Sequence, residues 1–190
     1  MMAPMLRPLR SPRARCTALA ACLAAMTGTQ AKPAEPLAGV DLARYSGRWY
    51  VIAHAPAFGK PELGAYFEYQ PRDDGHINEA FSTREVSFDH SAVTTERLLR
   101  TDPQQPGRWT ARRSWFSSEE EWVLYVSADY REAIAVTPDR NEGWILAREP
   151  EIPEWTYAGL LARVAMQGYD VSRFHRVPQK PEQLGQPGFD

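Results

Sequence analysis

The chain has 190 residues with 22 basic against 24 acidic side chains, a formal charge of −2, and two cysteines. That length suits one domain with a sizeable core, and the missing basic excess argues against nucleic acid, whose binding needs Lys and Arg to displace counterions. Cys16 and Cys22 both lie near the N-terminus, so the rest of the chain has no thiol for a disulfide, a thiolate metal site or a cysteine nucleophile.

Residues 1–31 read as a secretory signal peptide. Arg7, Arg10, Arg13 and Arg15 form a basic region without an acid, Cys16 to Met26 an apolar run, and Thr29-Gln30-Ala31 a small-residue exit. The apolar run is too short to span a bilayer. Leu19-Ala20-Ala21-Cys22 also reads as a lipobox, making Cys22 a candidate for acylation and membrane association. The exported protein is then either soluble in the periplasm after cleavage at Ala31 or lipid-anchored to the outer membrane at Cys22. Without those four arginines, 18 basic residues face 24 acidic ones, a net charge of about −6.

Residues 32–39, rich in Pro, form a linker. Val40 to Ser46 reads as a short helical turn that changes at Gly47 into a strand, Arg48 to Ala55. Leu63 to Gln70 alternates in polarity, Arg72-Asp73-Asp74-Gly75 supplies a hairpin turn, and His76 to Thr83 returns. Thr94 to Thr101 is a fourth strand, broken by Pro103, Pro106 and Gly107. Arg108 to Phe116, Trp122 to Ser127, Glu132 to Thr137 and Gly143 to Arg148 complete eight, with Glu119-Glu120-Glu121 left as a solvated loop. Eight closely spaced strands suggest an up-and-down barrel or a sandwich. From Pro153 to Gln167 the period changes, and Tyr157, Leu160, Leu161 and Val164 form one helical stripe. That helix is expected to pack outside the barrel. Val171 to Val177 adds a short ninth strand, and the Pro-, Gln- and Gly-rich residues 178–190 are expected to be disordered.

Three segments resemble the conserved regions of the lipocalin family. Gly47-Arg48-Trp49-Tyr50 is similar to the first, Ala128-Asp129-Tyr130-Arg131 to the second and Trp144-Ile145-Leu146-Ala147-Arg148-Glu149-Pro150 to the third. Tyr130-Arg131-Glu132-Ala133 and Gly168-Tyr169-Asp170-Val171-Ser172 narrow the resemblance to bacterial outer-membrane lipocalins related to apolipoprotein D. The resemblance spans residues 40–177. It implies an all-β fold: an eight-stranded antiparallel calyx with one C-terminal α-helix outside, holding one small lipid such as a fatty acid or lysophospholipid. It also implies structural roles for Gly47, Trp49, Asp129, Tyr130 and Arg148, with the arginine stacked over the tryptophan at the closed end.

Carrying the register from Trp49 turns Ala65, Phe67, Tyr69, Ile77, Phe81, Trp109, Ala111, Trp115, Ile134 and Val136 inward. Of these, Phe67, Phe81, Trp109, Ala111, Trp115, Ile134 and Val136 are the candidate ligand contacts. Arg113 and Glu79 fall on the same inward register. Arg113 either binds a ligand's phosphate or carboxylate, pairs with Glu79, or is turned outward by a bulge that leaves Arg112 inward. The four histidines show no metal-ligand spacing, and neither a nucleophile elbow nor a phosphate loop is present. The function expected is storage or transport of a small lipid in the cell envelope, with no chemistry, cofactor or metal, and a homodimer compatible with the sequence. The alternative is a calyx enzyme or a haem- or tetrapyrrole-binding lipocalin.

Overall fold

The computed structural model describes residues 34–56 and 62–189. The leader and Cys22 lie outside the described residues. Helix α1 (Leu42–Tyr45) is one turn long, and Asp41 starts it by accepting the amides of Ala43 and Arg44 on its carboxylate. Eight strands follow: β1 (Gly47–Ala55), β2 (Leu63–Pro71), β3 (His76–Arg84), β4 (Val93–Asp102), β5 (Gln105–Arg112), β6 (Ser118–Val126), β7 (Glu132–Val136) and β8 (Gly143–Ala147). Each pairs antiparallel with its neighbour in sequence, and β1 pairs with both β8 and β2, which closes the barrel.

The sheet buries two separate cores. Inside the barrel lie Trp49, Val51, Phe67, Tyr69, Ile77, Leu99, Trp109, Val123 and Leu146. Outside, helix α2 (Glu154–Met166) lays Tyr157, Leu160 and Val164 on Ala53, Ile134, Val136, Ile145 and Ala147. The helical stripe expected from the sequence is the one buried. Gly168, at φ +78°, ends the helix in the left-handed conformation that suits glycine.

Two strands differ from the sequence reading. β5 begins at Gln105, since the β4–β5 turn is confined to Pro103–Gln104. The Gly107 amide bonds the Leu37 carbonyl at 3.1 Å, and a Cβ there would stand 2.5 Å from that oxygen. Glycine therefore admits the N-terminal segment against the wall. β5 stops at Arg112, and β6 begins at Ser118, so the three glutamates belong to a strand rather than a loop.

The C-terminal segment is also more ordered than its composition suggests. A 3₁₀ turn (Val171–Arg173) leads into β9 (His175–Arg176), which pairs with β1 through Ala53 and His54. Above Tyr50 the strands β1 and β2 part, and the chain end fills the seam. The Val177 amide bonds Ile52 O at 3.0 Å, and the Gly64 amide bonds Pro178 O at 2.7 Å. The Gln179 amide group donates to Val51 O at 2.7 Å and Ala65 O at 3.1 Å. A second 3₁₀ turn (Pro181–Gln183) follows. Residues 178–189 are thus docked rather than disordered, because the parted strands leave carbonyls that need donors.

Candidate functional site

The closed end is built around Trp49. Its ring is fully buried, its indole N–H donates to Tyr45 O at 2.7 Å, and Arg148 lies over it with the guanidinium carbon 3.9 Å from the ring centre. Arg148 also donates to the carbonyls of Arg44 and Arg48 at 2.7 Å and of Tyr130 at 3.3 Å. Gly47, at φ +92°, turns the chain from α1 into β1 beneath this guanidinium. Tyr130 accepts the Asp41 amide at 2.8 Å, and Asp129 accepts the Ser127 hydroxyl. Gly47, Trp49, Tyr130 and Arg148 thus meet at the closed end, while Asp129 bonds within its own turn.

Above the floor, Tyr45, Tyr69 and Trp109 pack ring against ring at 5.2–5.4 Å. Phe67 stacks on Tyr69 and touches Phe81 and Trp144. Near the mouth, His54 stacks on Trp144 at 5.1 Å, and its Nδ1 pairs with Glu62 at 3.0 Å.

A polar cluster is set into this aromatic interior. Glu79, Arg97, Glu119 and Glu121 all point inward from β3, β4 and β6. Arg97 donates to Glu79 at 2.6 Å, Glu121 at 3.2 Å and Glu119 at 3.4 Å, while Tyr69 donates its hydroxyl to Glu121 at 3.2 Å. Burial, reinforced by the charge of Glu79, pushes the Glu121 carboxyl up to about 8, and burial likewise raises Glu79. Burial alone would lower Arg97, yet Glu121 and Glu79 raise it, so it stays charged. Glu79 Oε2 and the Tyr45 hydroxyl are buried without a hydrogen-bond partner.

A cavity of about 630 Å³ opens from this cluster to the mouth, lined by Arg97, Leu99, Ala111, Arg113, Glu119, Glu121 and Trp144 and rimmed by residues 137–139, Asn141 and Glu142. Its volume falls within the range typical of small-ligand pockets.

The expected contacts divide accordingly. Phe67, Phe81, Trp109 and Ala111 face inward, although Trp109 is walled into the floor and only Ala111 borders the cavity. Arg113 stands at the rim, mostly exposed and ion-paired with Glu119, so Glu79 takes Arg97 as its partner instead. Trp115 is not inside. It is 91% exposed at the β5–β6 tip, beside a groove of about 680 Å³ on the outer wall. The strand that should have carried it inward ends at Arg112, and a turn closed by Arg113 and Ser114 amides on Ser117 O follows. Ile134 and Val136 face outward under α2, and the inward residues of β7 are Ala133 and Ala135. The sequence reading also passed over Arg97, although it shares the parity of Leu99 on one strand, and Glu121, which shares that of Val123.

Among the described residues no group of His, Cys, Asp and Glu is arranged to hold a metal ion.

The sequence matches the lipocalin-like domain over residues 40–179. It is 29% identical to temperature-induced lipocalin-1 of Arabidopsis thaliana over 164 residues, 80% of this chain and 86% of that one. It is 31% identical to the outer membrane lipoprotein Blc of Escherichia coli K12 over 144 residues, 73% of this chain and 79% of that one. In fold it is similar to insecticyanin from the tobacco hornworm Manduca sexta, with a TM-score of 0.62 and 17% identity, covering 80% of this chain and 87% of that one.

Proposed function

Because the chain belongs to the lipocalin family, with a calyx suited to small hydrophobic ligands, we propose that it carries or stores one single-chain lipid, of the fatty-acid or lysophospholipid kind, in the cell envelope. The cavity of about 630 Å³ bordered by Leu99, Ala111 and Trp144 is the observation that carries this reading. Each methylene moved from water into such a site contributes roughly 0.8 kcal/mol, so a long chain outweighs the entropy lost on association. The reading is of a container, since neither the family nor the side chains around the cavity supply a catalytic constellation.

An envelope location is supported by the leader-like residues 1–31 and by the likeness to an outer membrane lipoprotein. Acylation at Cys22 would tether the chain to a bilayer from which lipid could be taken up or returned. Native mass spectrometry of protein extracted from its own membranes tests both parts. The expected result is one bound lipid per chain, together with either an acylated N-terminus at Cys22 or a free one after Ala31. Protein that arrives lipid-free and takes up no added fatty acid or lysophospholipid would sink the proposal.

A further inference from the structure

The outer wall of the barrel carries charge and aromatic surface that the calyx leaves unused. In the groove of about 680 Å³ beside the β5–β6 tip, Leu98 and Arg100 come from β4, Thr110 and Arg112 from β5, and Trp115 and Phe116 from the tip. Arg100 stands opposite Thr110, and Leu98 shares the outer face with Arg100. The two guanidiniums are therefore near neighbours on one face of the sheet. Both arginines are exposed, and neither has an ion-pair or hydrogen-bond partner among the described residues. No described carboxylate lines the groove. The acids beside it are taken, Asp74 by Arg72 at 3.0 Å and His76 at 3.2 Å, and Glu120 by Arg108 at 2.7 Å. Like charges left together on a sheet face are unfavourable, so this pair marks a place for anions.

The tip holds its rings out into solvent. Trp115 is 91% exposed and Phe116 100%. Their turn is fixed by the Arg113 and Ser114 amides on Ser117 O, by a bond of 2.8 Å between the Ser114 and Ser117 hydroxyls, and by the Phe116 amide on the Ser114 hydroxyl at 3.2 Å. Leu98, half exposed on the wall, extends the same apolar surface. Aromatic rings settle at the headgroup level of a bilayer, and basic side chains are drawn to anionic headgroups. This face offers both together.

We propose that the face docks on the surface of an anionic bilayer, with Trp115 and Phe116 entering the headgroup layer and Arg100 and Arg112 against its phosphates. Beyond the leader, 18 basic residues against 24 acidic ones give a net charge of about −6. An anionic surface repels such a chain as a whole, so its approach is set by the face where positive charge stands uncompensated. A second copy of the chain suits the face less well, because a two-fold contact would lay the same arginines against each other. Docking here goes beyond carriage, since it sets the barrel beside a bilayer whether or not Cys22 is acylated.

Residues 32–190 contain every strand and both cores, and they lack Cys22, so they report docking without an acyl anchor. Flotation of this chain with vesicles of phosphatidylcholine, or of phosphatidylcholine mixed equally with phosphatidylglycerol, tests the proposal. The mixed vesicles should bind at least about tenfold more tightly, since each arginine at an anionic surface contributes about fivefold, and salt should weaken that binding. Arg100→Gln with Arg112→Gln should remove the preference for phosphatidylglycerol. Trp115→Ser with Phe116→Ser should weaken binding to the mixed vesicles about tenfold or more. Arg131→Gln with Arg163→Gln, on the β6–β7 turn and α2, changes the net charge equally and should stay within about twofold of the parent. All six positions are exposed, and binding of an apolar fluorophore in the calyx reports that the fold is intact. Equal binding to both kinds of vesicle, or an equal loss in the Arg131 and Arg163 pair, overturns the proposal and leaves the carrier reading standing. Binding of inorganic phosphate through Arg100 and Arg112, without binding to vesicles, overturns it in favour of a soluble anion. Lipid-free self-association that the Trp115 and Phe116 pair abolishes overturns it in favour of a contact between copies. A chain that docks as expected but takes up neither fatty acid nor lysophospholipid upholds the docking face and removes the carrier reading.

Discussion

Arg148 covers Trp49 from outside the barrel at 3.9 Å while its three donors reach carbonyls on α1, on β1 and in the β6–β7 turn. The arginine therefore seals the floor twice, by attraction to the ring and by tying together three chain segments that have no ladder bonds in common. Trp49→Ala should cost about 3–5 kcal/mol, as truncation of a large buried aromatic does. Arg148→Lys keeps the charge but loses the planar fork, and should cost about 1–3 kcal/mol through carbonyls left without donors. Calorimetric unfolding of both variants checks this. A lysine variant as stable as the parent would reduce the seal to simple charge.

The buried Glu121 carboxyl should govern stability against pH. Glu121 has a folded pKa near 8 against an ordinary value of 4.5, because burial and Glu79 disfavour its charge. Between those values the folded state keeps a proton that the unfolded state has released, so stability falls as pH rises through the window. Glu79, also raised, acts in the same direction. Asp129, Asp139 and Asp170 act oppositely and lower on the scale. Hydrogen bonds from Ser127, Thr137 and Ser172 hold them below 3.8, a contribution lost as pH falls beneath that value. The thermal midpoint should therefore peak near about pH 5 and decline towards pH 8. Glu121→Gln should flatten the decline, and a midpoint that climbs from pH 5 to pH 8 would falsify the assignment.

The barrel and its floor were legible because their signals are local. The Arg72–Gly75 turn, the alternation of β2 and the residues around Trp49 and Arg148 each declare themselves within a few positions. The site was less legible because its logic crosses strands. Glu119-Glu120-Glu121 has the composition of a solvated loop, and only the presence of Arg97 two strands away makes it a buried rung. In β7 the alternation disappears because α2 covers the outer face and both sides are buried. With no polar face to fix the register, the larger Ile134 and Val136 looked like cavity residues, whereas the helix takes them and the small alanines leave room inside. At residues 178–189, Pro and Gln read as disorder, yet a glutamine amide can serve as a pair of backbone donors.

That glutamine gives the third prediction. Gln179 satisfies Val51 O and Ala65 O across the parted β1–β2 seam. Gln179→Ala removes both donors and should cost about 1–3 kcal/mol. Hydrogen exchange should quicken first at Gly64 and Val177, whose amides lie along the seam. Gln186→Ala, an exposed control on the same tail, should change neither stability nor exchange at the seam. Equal exchange in the two variants would mean that the tail rests on the barrel without closing it.

Inside and outside of the wall can be separated by a pair of substitutions. Ala111 borders the cavity, while Ile134 is buried under α2 against Tyr157, Leu160 and Val164. Ala111→Phe adds a ring to the space a ligand would occupy. It should weaken binding of an apolar fluorophore at least about tenfold, with an overpacking cost of roughly 1–3 kcal/mol. Ile134→Ala opens a void between helix and barrel, which should cost about 2–5 kcal/mol in stability. Its effect on the fluorophore should stay within about twofold, since the strand between them remains in place. Titration and thermal unfolding of both variants should thus give opposite patterns, one losing the guest and the other losing the fold. If Ile134→Ala releases the guest as readily as Ala111→Phe does, the ligand lies between helix and barrel, and the calyx is not the container.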